Sequence, residues 1–264
     1  MIKIIRQTNQ RFSAQELSEE FGQLNPSFKG HTQFFLALHF WKYDHQLEPQ
    51  FIFEQLEEFI QDLSNWYKNL NETLPTLSFI RHGKTPLNDG SFLGVGRNPD
   101  ILPLESNQIP TDEFDSVYTG TLQRTISTGL ALNGGNKIQE PLLNEINYGS
   151  AEGLFYPEVA EKFPELVEAW GRKEDPKFPG GGESQQDVAE RIDKFIAKIK
   201  PENRVAIVTH NVVIRALIGK ALDLPTHAWF KLNPGHVEKH NFRFFENKLI
   251  PALTKDQRIR YKDI

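Results

Sequence analysis

Four stretches of the chain carry side chains that chemistry could use. Arg81-His82-Gly83 follows the apolar run Leu77-Ser-Phe-Ile80 and precedes a broken stretch with Pro86, Asn88, Asp89 and Gly90. Arg124 stands in a Thr-rich turn, Glu145 lies just ahead of Tyr148-Gly149, and His210 closes a second apolar run. Together they suit phosphoryl transfer through a histidine. A neutral imidazole attacks phosphorus near neutral pH if its other N–H is held by a hydrogen bond. Two guanidiniums and a second imidazolium stabilise charge on the equatorial oxygens without a metal. A carboxyl beside an anion holds its proton more firmly and can deliver it to the leaving alkoxide.

Strand ends must bring these groups together. From residue 76 onward, short apolar runs alternate with helical stripes, the pattern of a sheet with helices on its faces. Residues 76–80, 116–118 and 204–210 read as strands. A helix is predicted over residues 122–132, ending at Asn133-Gly134-Gly135. Two short ones follow over 157–163 and 164–170, each with proline in its first turn. After a Pro/Gly loop over 175–182, Ser184-x-x-Asp187 caps a helix with Val188, Ile192, Phe195, Ile196 and Ile199 on one face. Residues 212–222 form the helix after the last buried strand, and residues 242–245 and 248–250 a closing hairpin. Parallel sheets bind ligands at the C-terminal strand edges. His210, at a helix N-terminus, is well placed for an anion. Arg124, in the first turn of its helix, approaches the same edge, and Glu145 faces it from a loop.

Residues 1–75 differ in character, being rich in Phe, Gln and Glu and poor in Gly. Ser13-x-x-Glu16 opens a short helix. Ile52, Leu56, Phe59, Ile60, Leu63, Trp66, Tyr67 and Leu70 form one apolar stripe, the mark of an amphipathic helix packed on a body. It ends before Leu74-Pro75. The expected organisation is a mainly helical segment over 1–75 packed on a core domain over 76–264.

Arg81-His82-Gly83-Lys84-Thr85-x-x-Asn88 resembles the signature of the histidine phosphatase (phosphoglycerate-mutase-like) superfamily, on the phosphatase branch. Four later segments resemble it in the right order: Val117-Tyr-Thr-Gly-Thr-Leu-Gln-Arg124, Asn144-Glu145-Ile-Asn-Tyr-Gly149, Pro179-Gly-Gly-Gly-Glu183-Ser184 and Val208-Thr-His210-Asn211-Val-Val-Ile-Arg215. The match covers about residues 76–250. It implies a three-layer α/β/α fold with a mostly parallel central sheet. By the same resemblance His82 is the phosphoryl acceptor and Glu145 the acid. Arg81, Arg124 and His210 bind the phosphoryl oxygens, and Asn88 is an ancillary contact. Asn211 departs from the family pattern by standing where glycine is commonest, and its amide can touch the ligand. Two further departures stand out. Thr119-Gly120-Thr121 replaces the usual Ser-Ser-Pro, and residues 105–113 are too few for the helix that usually precedes the second strand. The helix over 52–70 is expected to cover the sheet face that this gap would expose.

Composition narrows the rest. The 264 residues carry a formal charge of −5, which argues against nucleic acid or anionic membrane as partner. No cysteine is present, which excludes thiol nucleophiles and Cys-ligated zinc. The first residues lack the apolar core of a secretory signal, so a cytoplasmic protein is expected. His31, His39, His45, His227, His236 and His240 have no metal-ligand spacing and read as ordinary histidines. Lys84 and Arg97 read as solvated cations, Arg215 as structural, and Glu183-Ser184 as a loop brace and helix cap. Glu152 either supports the pocket or caps a loop. The expected activity is metal-independent, cofactor-free phosphomonoester hydrolysis of a small phosphorylated metabolite. A phosphoglycerate-mutase-type transfer and a non-catalytic phospho-ligand binder are the alternatives. The sequence leaves the oligomeric state open.

Overall fold

The computed structural model describes residues 74–261 except residue 246. Its frame is a six-stranded sheet in the order β3-β2-β4-β1-β5-β6. The strands are β1 (Thr76–Arg81), β2 (Phe114–Thr119), β3 (Gly134–Gln139), β4 (Arg204–Thr209), β5 (Lys239–Phe245) and β6 (Lys248–Pro251). The first four in the spatial order run parallel, while on the far side of β1 strand β5 pairs antiparallel with β1 and β6 antiparallel with β5.

Alternation along the two central strands creates two cores. Leu77 and Phe79 of β1, with Val205 and Ile207 of β4, belong to the larger one. There they meet α4 (Gln185–Lys198) and α5 (Asn211–Ala221). Ile80, Ala206 and Val208 point the other way and share a smaller core with Phe114, Val117 and Leu132. Helix α1 (Gln123–Ala131) packs along β2 and β4 on that side. The result is the three-layer α/β/α arrangement expected from the sequence. Helices α2 (Tyr156–Lys162) and α3 (Pro164–Gly171) stand between β3 and α4 in the chain, and α6 (Lys255–Tyr261) follows β6.

Ser184 caps α4 as predicted, its hydroxyl accepting from the Asp187 N–H while the Asp187 carboxylate accepts from the Ser184 N–H. Residues 105–113 hold a single 3-10 turn, Ser106–Gln108, in place of a helix. β3 is absent from the sequence reading. It opens on Gly134-Gly135, where a Cβ would lie 2.0 Å and 1.7 Å from backbone oxygens of Phe114 and Asp115. β2 and β3 pair too closely there for any side chain. β5 begins three residues earlier than the predicted hairpin strand. The helix over 52–70 and its expected cover of the sheet lie outside the described residues. Among the described residues no helix is long and apolar enough to cross a membrane.

Candidate active site

Strand register places the two histidines side by side. β1 and β4 pair in parallel with Arg81 opposite Thr209, and the His82 N–H donates to the Thr209 carbonyl at 2.9 Å. The next residue on each strand is a histidine, and their ring centroids lie 5.2 Å apart. A cavity of about 210 Å³ opens beside them, lined by Arg81, His82, Asn88, Glu145, Tyr148 and Asn211 together with residues 90–93.

Hydrogen bonds distinguish the ring nitrogens. His82 Nδ1 lies 2.7 Å from the Gly83 carbonyl, which can only accept, so Nδ1 carries the proton and Nε2 the lone pair. His210 is the reverse. Its Nδ1 receives the Arg124 Nε–H at 3.2 Å, leaving Nε2 as the N–H donor. Burial lowers both imidazoles well below the ordinary histidine value, with nearby cations adding to the effect. Both shifts favour the neutral ring, that of His210 included. His210 remains a donor in that state.

Arg124 stands beside His210. It is fully buried, and its terminal nitrogens donate to the carbonyls of Gly94 at 2.9 Å and Arg97 at 2.8 Å. Its Nε is on His210, and neither of these two side chains is among those lining the cavity. The loop that Arg124 holds is braced from the other side by Glu152, whose Oε1 accepts the Gly96 N–H at 3.0 Å. Arg81 does line the cavity. One of its terminal nitrogens donates to the Pro234 carbonyl at 2.7 Å, and its Nε is buried without a partner.

Glu145 lines the same cavity. Its Oε1 accepts the N–H groups of Ile146 at 3.0 Å and Val212 at 3.3 Å, the latter in the first turn of α5. The free amide there thus anchors a carboxyl. Burial raises the Glu145 pKa, outweighing the downward pull of Arg124, the Ile146 amide, Arg81 and Arg191. The loop carrying it is tied on three sides. Thr209 Oγ1 donates to the Leu143 carbonyl, Asn144 Oδ1 receives the Thr121 N–H, and Glu183 Oε2 receives the Asn147 N–H. Arg191 completes the brace with bonds to Glu183 and the Leu142 carbonyl. Gly120 is required within this arrangement, since a Cβ would lie 2.7 Å from Asn144 Oδ1 and 3.4 Å from His210 Nε2.

Asn88 faces the cavity, but its Oδ1 is engaged by the Thr85 N–H at 2.8 Å, so its role includes closing the loop after β1. Asn211 Oδ1 is buried and unpartnered. The four buried side-chain polar atoms without a partner among the described residues belong to Arg81, His210, Asn211 and His240. Arg81 and Asn211 line the cavity with His82, and the His210 ring is the one 5.2 Å from it. No cluster of His, Asp or Glu able to hold a metal occurs among the described residues.

Three neighbours were not read from the sequence. His236 packs its ring 5.4 Å from that of His82 and donates from Nδ1 to the His82 carbonyl at 3.0 Å. It sits just ahead of β5, whose antiparallel pairing with β1 brings it to the site. An earlier start for that strand would have been the signal. Tyr148 and Phe92 complete the wall, their rings edge-to-face at 4.9 Å.

The sequence model of the histidine phosphatase superfamily (branch 1) matches residues 77–251. The chain belongs to that family. The mouse 6-phosphofructo-2-kinase/fructose-2,6-bisphosphatase 1 is 28% identical over 206 residues, covering 70% of this chain and 43% of its own length. An Arabidopsis thaliana 6-phosphofructo-2-kinase/fructose-2,6-bisphosphatase is 34% identical over 122 residues, 45% of this chain and 16% of the relative. The chain thus spans less than half the length of these relatives. Among solved structures, the α-ribazole phosphatase of Shigella flexneri shares the fold with a TM-score of 0.56 at 22% identity, over 69% of this chain and 96% of that one. A mycobacterial glucosyl-3-phosphoglycerate phosphatase in complex with VO3 does so with a TM-score of 0.55 at 24% identity, over 68% and 97%.

Proposed function

We propose that the chain is a metal-independent phosphomonoester hydrolase working through a phosphohistidine on His82. The observation that carries this reading is the set of unpartnered buried polar groups of Arg81, His210 and Asn211 around a neutral imidazole whose free lone pair is on Nε2. Such groups are costly to bury unless a ligand completes them. A phosphoryl group meets that need. Arg81 Nε–H and His210 Nε2–H donate to its oxygens, and the Asn211 amide does so once turned end for end.

His82 Nε2 forms a bond to phosphorus as the ester P–O bond breaks, and the leaving alkoxide takes the proton of Glu145. Water then attacks the phosphohistidine, giving its proton to the Glu145 carboxylate and releasing orthophosphate with His82 neutral again. Arg124 acts at one remove, holding His210 with Nε2 as donor and adding positive charge. The segment over 155–178 carries Glu158, Glu161, Glu165, Glu168, Glu174 and Asp175 against Lys162, Arg172, Lys173 and Lys177, an acidic balance unfavourable to a second phosphate. That favours hydrolysis over mutase-type transfer of a bisphosphate.

The test is turnover of p-nitrophenyl phosphate with a chelator present. Wild-type protein should release nitrophenol and His82→Ala should fall to background. Activity that survives in His82→Ala, or none in wild type across a panel of phosphomonoesters and pH values, would overturn the reading.

A further inference from the structure

Behind the wall of the phosphate cavity lies a second, larger one of about 520 Å³, within the usual range for small-molecule sites. Phe92 and Tyr148 line both. From them a run of touching rings leads outward. Tyr148 meets Phe178 at 4.7 Å, Phe178 meets Trp170 at 5.7 Å, and Trp170 stacks with Tyr156 at 6.3 Å and 21°. Phe230 also lines this cavity, and Tyr156 and Phe230 are 53% and 62% exposed. Large aromatic side chains left open at the end of a continuous ring path are a contact surface for a flat or apolar body.

Charge on the wall points the same way. Glu174, Asp175 and Arg215 are its carboxylates and guanidinium. Asp175 accepts the Gln185 and Gln186 N–H groups at the start of α4, Glu174 pairs with Arg172, and Arg215 Nε donates to the Leu232 carbonyl. With Arg172 on Glu174, two carboxylates balance two guanidiniums and leave no positive excess for a second phosphate.

Resting on the hydrolase reading, we propose that this cavity takes the alcohol portion of the substrate, and that this portion is an aromatic or apolar group without a second phosphate. The phosphoryl group sits at His82 and the apolar body extends past Phe92 and Tyr148 along the ring path. Specificity then arises from apolar burial, where each well-placed group changes kcat/KM by about tenfold or more.

Alkyl phosphates of equal leaving-group basicity isolate the effect. The ratio of kcat/KM for 3-phenylpropyl phosphate to that for propyl phosphate should be at least about tenfold, expressed in KM, with glucose 6-phosphate and fructose 2,6-bisphosphate below both aryl and alkyl esters. Trp170→Ala and Tyr156→Ala should each shrink that ratio several-fold, and exposed Tyr156 can be removed without threatening the fold. A wild-type ratio near one, a ratio unchanged in both variants, or preference for the bisphosphate would overturn the assignment. Calorimetric binding of 3-phenylpropylphosphonate against propylphosphonate reads the cavity without turnover. Tighter binding of the aryl compound by a protein that hydrolyses nothing would sink the hydrolase reading alone. Equal binding by an active enzyme would sink the cavity assignment alone.

Discussion

At Glu145 and His82, burial moves two pKa values in opposite directions, and the proposed reaction needs one group protonated and the other not. Protonating His82 removes the nucleophilic lone pair. Burial has lowered its pKa well below the ordinary imidazole value, so the acid limb of the rate profile lies on the acid side of a free histidine. Ionising Glu145 removes the proton meant for the leaving group. Burial has raised its pKa, so the alkaline limb lies on the alkaline side of a free carboxyl. Glu145→Gln should therefore lose the alkaline limb and keep the acid one. On an alkyl phosphate the rate should drop about 10²–10⁴-fold, the usual cost of losing a general acid, and less on p-nitrophenyl phosphate, whose leaving group needs no proton. Equal losses on both substrates, or a persisting alkaline limb, would contradict the acid assignment. These residues were legible because each is a reactive type at a strand end or in a loop with a recognisable string. His236 and Phe92 were not. Their contribution depends on which loop folds back on which strand, and a lone histidine or phenylalanine carries no trace of that.

Helix α5 links packing to the site, because its first turn anchors Glu145 through the Val212 N–H and presents Asn211 to the cavity. Its seat depends on Gly219. A Cβ at that position would come within 2.3 Å of Trp229, which is 2% exposed and fixed by an indole bond to the Leu224 carbonyl at 2.8 Å. On an exposed helix, Gly→Ala would gain about 1 kcal/mol. Here overpacking costs about 1–3 kcal/mol, so Gly219→Ala should lower the urea midpoint. A raised midpoint would mean that Trp229 yields and the contact is not tight. The elements themselves were read unevenly, for physical reasons. β1 and β4 are buried on both faces and show mostly apolar runs, broken in β1 only by Ser78, and α4 shows its stripe and cap. β3 is exposed along its whole length and begins with two glycines, so neither alternation nor apolar content marks it. Its evidence is the backbone of β2 alongside, which the local string does not contain.

Across the molecule, buried neutral histidines couple stability to acid. His82, His210 and His240 are each almost wholly inaccessible, and burial lowers all three, His240 to about 4. His240 lies 3.6 Å from Glu238, yet desolvation outweighs that carboxylate, so near neutrality the pair is not an ion pair. With folded pKa values below the unfolded one, the unfolded chain binds protons first as the pH falls. The stability these groups contribute is complete above about pH 6.5 and drains as pH drops towards each folded pKa, at up to about 1.4 kcal/mol per pH unit for each group. Glu145, with its raised pKa, works in the opposite direction, while half-buried His236, also lowered by burial, adds to the drain. An anion in the cavity favours the charged forms of His82 and His210, raising their folded pKa values and shortening the drain. It leaves His240, which bonds to Tyr261 at 3.0 Å, untouched. Urea midpoints should therefore fall from pH 7 to pH 5, and saturating orthophosphate should recover more stability at pH 5 than at pH 7 without abolishing the decline. Flat stability over that range would show that the histidines are not held neutral. An equal phosphate gain at both pH values would separate the anion site from His82 and His210.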